Sequence, residues 1–180
     1  MPPNIDVRVR RTKTAILIVG EGPTEKAFLQ YLQEIYISRE ADVAVKIECG
    51  SGGSPQCVVE KTIHLRDNRA YDRCAVVLDA HIPLKPDREL KKLMKKRPQV
   101  EIILISPCIE GLFLTILQHP NFLRNRASVQ QCKHEFEAHY LSDAQKADKR
   151  SYGRIFPRHL LDSCRGSIRE LDTIFKAMQV

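Results

Sequence analysis

The sequence predicts an α/β fold, a mainly parallel four-stranded sheet flanked by helices on both faces and followed by a helical C-terminal extension. Two observations carry that expectation. Four short runs, Thr14–Val19, Val43–Ile47, Arg73–Leu78 and Val100–Ile105, are rich in β-branched and aliphatic residues and largely lack polar alternation, as strands buried on both faces are. Each run is followed by a stretch whose apolar residues recur at three and four positions, the period of a helix. Strands alternating with helices pair in parallel and are covered from both sides. A chain of 180 residues leaves room for one domain of ordinary size.

The first run stops at Gly20, and Pro23 and Thr24 begin a helical stripe over Thr24 to Ile37, with Ala27, Phe28, Tyr31, Leu32, Ile35 and Tyr36 apolar. After Val43–Ile47 comes the loop Gly50-Ser-Gly-Gly-Ser-Pro55, then a helix from Gln56 to about Asn68. The third strand runs into Asp79 and is followed, past Pro86, by a basic helix. The fourth strand leads to an apolar helix over Ile109 to Leu117. Beyond Pro120 the chain reads as polar helices, Ser128 to His139 and Arg158 to Lys176, with a break at Ser151-Tyr-Gly153. The organisation is thus a basic N-terminal segment (1–13), an α/β unit (14–118) and a helical extension packed on it (119–180).

Composition excludes several classes. With 43% hydrophobic and 28% charged residues the chain is neither disordered nor fibrous. The run Ala15–Val19 is too short to span a bilayer and no signal-peptide pattern is visible, so the expected compartment is the cytoplasm, with no membrane partner. Six cysteines without a Cys-x-x-Cys pair read as reduced, mostly buried thiols. The net charge is +7, and a net five of those charges fall between Lys85 and Arg97, where Lys85, Arg88, Lys91, Lys92, Lys95, Lys96 and Arg97 face only Asp87 and Glu89. A helix gathers Lys91, Lys92, Lys95 and Lys96 on one face, which is either a solvated surface or a track for nucleic-acid phosphates.

The expected strand ends carry Gly20-Glu21-Gly22-Pro23-Thr24-Glu25, Asp79-Ala80-His81 and Ser106-Pro107-Cys108-Ile109-Glu110. A parallel sheet puts these ends on one rim, where Glu21, Asp79 and Glu110 could converge. Hard oxygen ligands of this kind suit Mg²⁺, which is usually held by one or two carboxylates, waters and substrate phosphate. The plainer reading makes Glu21, Glu25 and Glu110 acids favoured near helix N-termini, Asp79 a cap, His81 a loop histidine and Cys108 a packed thiol. Ser51-Gly52-Gly53-Ser54 lacks the Lys-Ser/Thr of a P-loop and reads as a turn.

The order of these pieces resembles the TOPRIM domain of topoisomerases, primases and OLD-family nucleases, and most closely its RloB-like members. In that family a Glu-Gly-x-Thr-Glu turn follows the first strand, an Asp-x-Asp a later one, and an Asn-Pro-Cys-Phe-Glu-like segment opens a helix. Glu21-Gly22-Pro23-Thr24-Glu25, Asp79-Ala80-His81 and Ser106-Pro107-Cys108-Ile109-Glu110 stand in those places, and the resemblance covers about residues 14 to 118. It implies a TOPRIM-like, Rossmann-like fold and cleavage of nucleic acid with Mg²⁺ or Mn²⁺, often beside an ATPase partner in defence against phage. By motif, Glu21, Asp79 and Glu25 would be catalytic, and Glu21, Asp79, His81 and Glu110 would hold the metal. The departure is His81 in place of the second aspartate. Imidazole ligates Mn²⁺ or Zn²⁺ but binds Mg²⁺ poorly, so a softer metal, recruitment of Asp87, or an inactive site all stand open.

In the tail, His134 and His139 lie five apart, on different helix faces, and read as structural rather than as a zinc pair. Lys146, Lys149, Arg150, Arg154, Arg158, Arg165 and Arg169 offer a second basic surface, with Tyr140, Tyr152 and Phe156 to stack on bases. Three functions remain: a metal-dependent nuclease, a degenerate module that binds nucleic acid or a protein without cutting, and a primase-like phosphotransferase. The oligomeric state stays open, a homo-oligomer included.

Overall fold

A computed structural model describes residues 13–50, 52–120 and 122–180. Strands β1 (Thr14–Gly20), β2 (Val43–Cys49), β3 (Arg73–Asp79) and β4 (Val100–Ile105) form one all-parallel sheet in the order β2-β1-β3-β4. They alternate with helices α1 (Pro23–Tyr36), α2 (Pro55–Asp67), α3 (Arg88–Lys95) and α4 (Ile109–Ile116). The tail adds α5 (Val129–His139), α6 (Asp143–Lys146), α7 (Arg158–Cys164) and α8 (Arg169–Met178).

Alternate residues of β1, β3 and β4 feed two separate cores, because successive side chains leave a strand on opposite faces, whereas the edge strand β2 buries Val45 and Ile47 in one core and leaves Ala44 and Lys46 exposed. Ile16, Ile18, Ala75, Val77, Ile103 and Ile105 pack under α1, α4 and the tail. Leu17, Val19, Cys74, Val76, Leu78 and Val100 pack under α2 and α3. That arrangement explains the unbroken apolar runs: the central strands β1 and β3 have no solvated face. The larger core is centred on Phe28 of α1, whose ring lies 4.8 Å from Phe113, 5.5 Å from Tyr152 and 5.6 Å from Phe156.

Two tail expectations change. The stretch Arg158–Lys176 is two helices, interrupted after Cys164 where Gly166 takes a φ of +91° and the amides of Ser167 and Ile168 both donate to the Cys164 carbonyl. Ser151-Tyr-Gly153 is no break but the middle of a 3-10 helix over Lys149–Arg154. Of the basic N-terminal segment, residues 1–12 lie outside the described residues; Lys13 donates to the Arg39 carbonyl at 2.6 Å. None of the described helices is long and apolar enough to cross a membrane.

Candidate functional site

The strand order decides where a site can form. From β1 the chain leaves through α1, packed on one face of the sheet, and from β3 through α3, packed on the other. The carboxyl ends of β1 and β3 are therefore a topological switch point, where departing loops splay and leave a crevice. Gly20 is level with Val77, and Asp79 with Ile105, so the turn after β1 lies beside the end of β3. The Glu21 amide donates to Val77 O at 3.0 Å and the Ala80 amide to Ile105 O at 2.8 Å.

Gly20 lets α1 begin hard against β1, because a Cβ there would stand 2.7 Å from Glu25 Cβ and 2.9 Å from the Lys26 nitrogen. Glu25 is thereby drawn into the interior, 5% exposed, where Oε2 accepts from the Gly22 amide at 2.7 Å. Burial raises its pKa, the amides of Glu25 and Gly22 oppose that, and the charges of Glu110 and Glu21 add to it. Glu21, half-buried, reaches over to β3, and its Oε2 accepts from the Asp79 amide at 2.9 Å.

Asp79 is 7% exposed, and its Oδ1 accepts from the Ile109 amide at 3.0 Å, at the start of α4. Burial, followed by the negative charges of Glu25, Glu21 and Glu110, pushes its pKa up to about 8. Glu110, 2% exposed, takes Lys146 Nζ on Oε1 at 2.9 Å, while its Oε2 is buried with no hydrogen-bond partner. His81 stands at the edge of this group with Nδ1 3.8 Å from Asp79 Oδ2, beyond hydrogen-bond reach. Asp87 is engaged elsewhere, as the N-cap of α3, accepting from the Leu90 amide at 2.7 Å.

Glu21, Glu25, Asp79 and Glu110 thus share one rim, although up to 89 positions separate them in the sequence. Like charges crowded in a buried setting raise one another's pKa values, and a bound cation relieves them. The donors are all hard oxygens, one of them unpartnered, and that chemistry fits Mg²⁺ or Mn²⁺. The rim is not a closed cage. Among the described residues, the group of three ligand atoms that draws within 4.8 Å is His119, Glu135 and His139, elsewhere in the molecule. An open acidic rim of this kind leaves positions for water and substrate oxygens.

Lys146, Tyr152 and Phe156 occupy places the sequence did not anticipate. Lys146 is not a surface base: it is 2% exposed and bonds Glu110, Glu137 at 2.7 Å and Asp143 at 3.3 Å. Burial works against its charge, and the bonds to Glu137 and Glu110 overcome it and hold the ammonium charged. Tyr152 and Phe156 are fully buried in the larger core and cannot stack on bases, and Tyr140 is half-buried against His119. Lys85, Arg88, Lys91, Lys92, Lys95, Lys96 and Arg97 are all exposed. Because α3 returns the chain from the end of β3 to the start of β4, Lys85 and Arg88 lie toward the rim. Lys95 and Arg97 instead line a cleft with Tyr71, Asp72 and Arg73 at the amino ends of the strands.

Comparison of the chain with models of known protein families, with curated proteins and with solved structures gives no match.

Proposed function

We propose that the chain is a divalent-metal-dependent nuclease that cleaves phosphodiester bonds of DNA or RNA, with Mg²⁺ or Mn²⁺ as its cofactor. The observation that carries this reading is Asp79: a carboxylate at the switch point of a parallel sheet, buried against Glu21, Glu25 and Glu110 and pushed toward its protonated form. Asp79 and Glu21 would hold the metal, with Glu110, whose Oε2 is buried without a hydrogen-bond partner, as a neighbouring acid. A divalent ion bound there supplies an activated water and offsets charge developing on the phosphate. Glu25, fixed on the Gly22 amide, keeps the turn in place and tunes its neighbours. Glu21 is the most solvent-accessible of the four, and so the carboxylate a substrate and its water meet first at the rim. The resemblance to RloB-like TOPRIM proteins supports the same chemistry and suggests an ATPase partner and a role in antiviral defence.

The alternative is a TOPRIM module that binds nucleic acid or a partner without cutting. It is favoured by His81 beside Asp79 in place of an acid, and by Lys146, which already neutralises Glu110. Calorimetry with Mg²⁺ and Mn²⁺, run beside cleavage assays on single- and double-stranded DNA and RNA, separates the two. For a nuclease, Glu21→Gln and Asp79→Asn each lose metal binding and cleavage while the fold persists. Absence of metal binding even with nucleic acid present, or undiminished cleavage by both variants, rejects it in favour of the binding module.

A further inference from the structure

A second constellation of ligating side chains lies at the far end of α4 and owes nothing to the acidic rim. Helix α4 closes at Leu117, Gln118 takes a left-handed φ of 50°, and the His119 amide donates back to Leu114 O at 3.0 Å. This turn sets the His119 ring against α5, where Glu135 and His139, four apart, share one face. Ligand atoms of His119, Glu135 and His139 all fall within 4.8 Å of one another.

In each ring one nitrogen is engaged by a neighbouring group. His119 Nδ1 meets the Tyr140 hydroxyl at 3.0 Å, so Nε2 is the atom turned to the cluster, 3.5 Å from Glu135 Oε2. His139 Nδ1 lies 2.9 Å from the Glu135 backbone carbonyl, which can only accept, and 3.6 Å from Glu135 Oε2, so with Nδ1 as the donor to that carbonyl it is Nε2 that would take the metal. Such bonds to a carbonyl or hydroxyl are the usual companions of metal-ligating histidines. The 3.5 Å gap between His119 Nε2 and Glu135 Oε2 is long for a hydrogen bond. It suits two atoms on one metal, since bonds of about 2.0–2.1 Å at a tetrahedral angle place ligands roughly 3.3 Å apart.

We propose that His119, Glu135 and His139 form a Zn²⁺ site. Two imidazoles and one carboxylate are a borderline-soft set that favours zinc over Mg²⁺. Three protein ligands leave the fourth position open, and a cavity of 340 Å³ lined by His119, Phe122, Leu123, Arg126, Gln131 and Glu135 adjoins it. The site would take an exchangeable water or an anionic ligand atom there, and it would tie the end of α4 to α5.

The test is zinc titration of the purified full chain against a chromogenic chelator, with Co²⁺ as a spectroscopic substitute. Expected are one tight equivalent of Zn²⁺, the visible d–d bands of tetrahedral Co²⁺ without a sulfur-to-metal band, and a rise in Tm on adding zinc. His119→Ala and His139→Ala should each weaken binding roughly 100-fold or more, and Tyr140→Phe by about tenfold. His139 is exposed, so its replacement leaves the core intact and carries the test if His119→Ala does not fold. His134→Ala, Cys57→Ser and Asp79→Asn should bind as wild type, which separates this site from the exposed thiol and from the acidic rim. Undiminished binding by His139→Ala, loss of binding in Cys57→Ser or Asp79→Asn, or no tight zinc in wild type overturns the proposal.

Discussion

Asp79 is a carboxylate kept where its charge is least welcome. Its pKa rises from 3.8 to about 8 through burial and the charges of Glu25, Glu21 and Glu110. The folded protein therefore binds a proton that the unfolded chain releases between those two values, so this residue's contribution to stability falls as pH rises from about 4 to 8. In Asp79→Asn the amide oxygen can still accept from Ile109 and the titration is gone. Its melting temperature should match wild type near pH 4 and exceed it increasingly toward pH 8, as thermal scans across that range would show. A constant difference between the two proteins would mean that Asp79 does not titrate in this window. The histidine at 81 belongs to the same scale, since one side chain distinguishes the two functional readings.

At the scale of the element, α3 shows how a helix survives with little in its favour. Eight residues are too few for a helix to stand alone, and Arg88–Lys92 and Lys91–Lys95 are like-charge pairs one turn apart. Leu90 anchors it in the smaller core, and Asp87 caps its start. Its end is held by the buried Arg66 of α2, whose Nη1 donates to the carbonyls of Leu93 at 3.0 Å, Lys96 at 3.2 Å and Pro98 at 3.4 Å. Arg66→Met keeps the apolar stem and removes the donors, and should cost about 2–3 kcal/mol in urea denaturation. Faster amide exchange concentrated in α3 should accompany it. A loss below about 0.5 kcal/mol would show that Leu90 and Asp87 suffice.

At the scale of the whole molecule, the tail completes what the sheet begins. Phe136, Tyr152, Phe156, Leu161 and Phe175 fill the face that α1 and α4 offer, and Lys146 brings the counter-charge for Glu110. The tail therefore builds the core and one wall of the acidic rim together. A fragment ending at residue 118 would expose Phe28 and Phe113 and remove the ammonium that pairs with Glu110. It should lack the near-UV circular dichroism of the full chain and bind a hydrophobic dye. A cooperative unfolding transition in that fragment would contradict this account.

The sequence by itself determined the four strands and the helices between them, and placed Glu21, Asp79 and Glu110 at strand ends where they could converge. Those follow from local periodicity and from the rule that parallel strands end together. β4 was legible to the residue, and α1 and α2 to within one. Only the tertiary structure decided the partners of the long-range polar groups. Lys146 reads as one more surface base until folding sets it against Glu110, 36 positions away. Tyr152 and Phe156 read as surface aromatics until they close the core. In sequence His139 stands nearest His134, whereas its neighbour in space is His119. Pairings across such separations carry no spacing signature, because they are set by how helices pack on a sheet rather than by the period within any one of them.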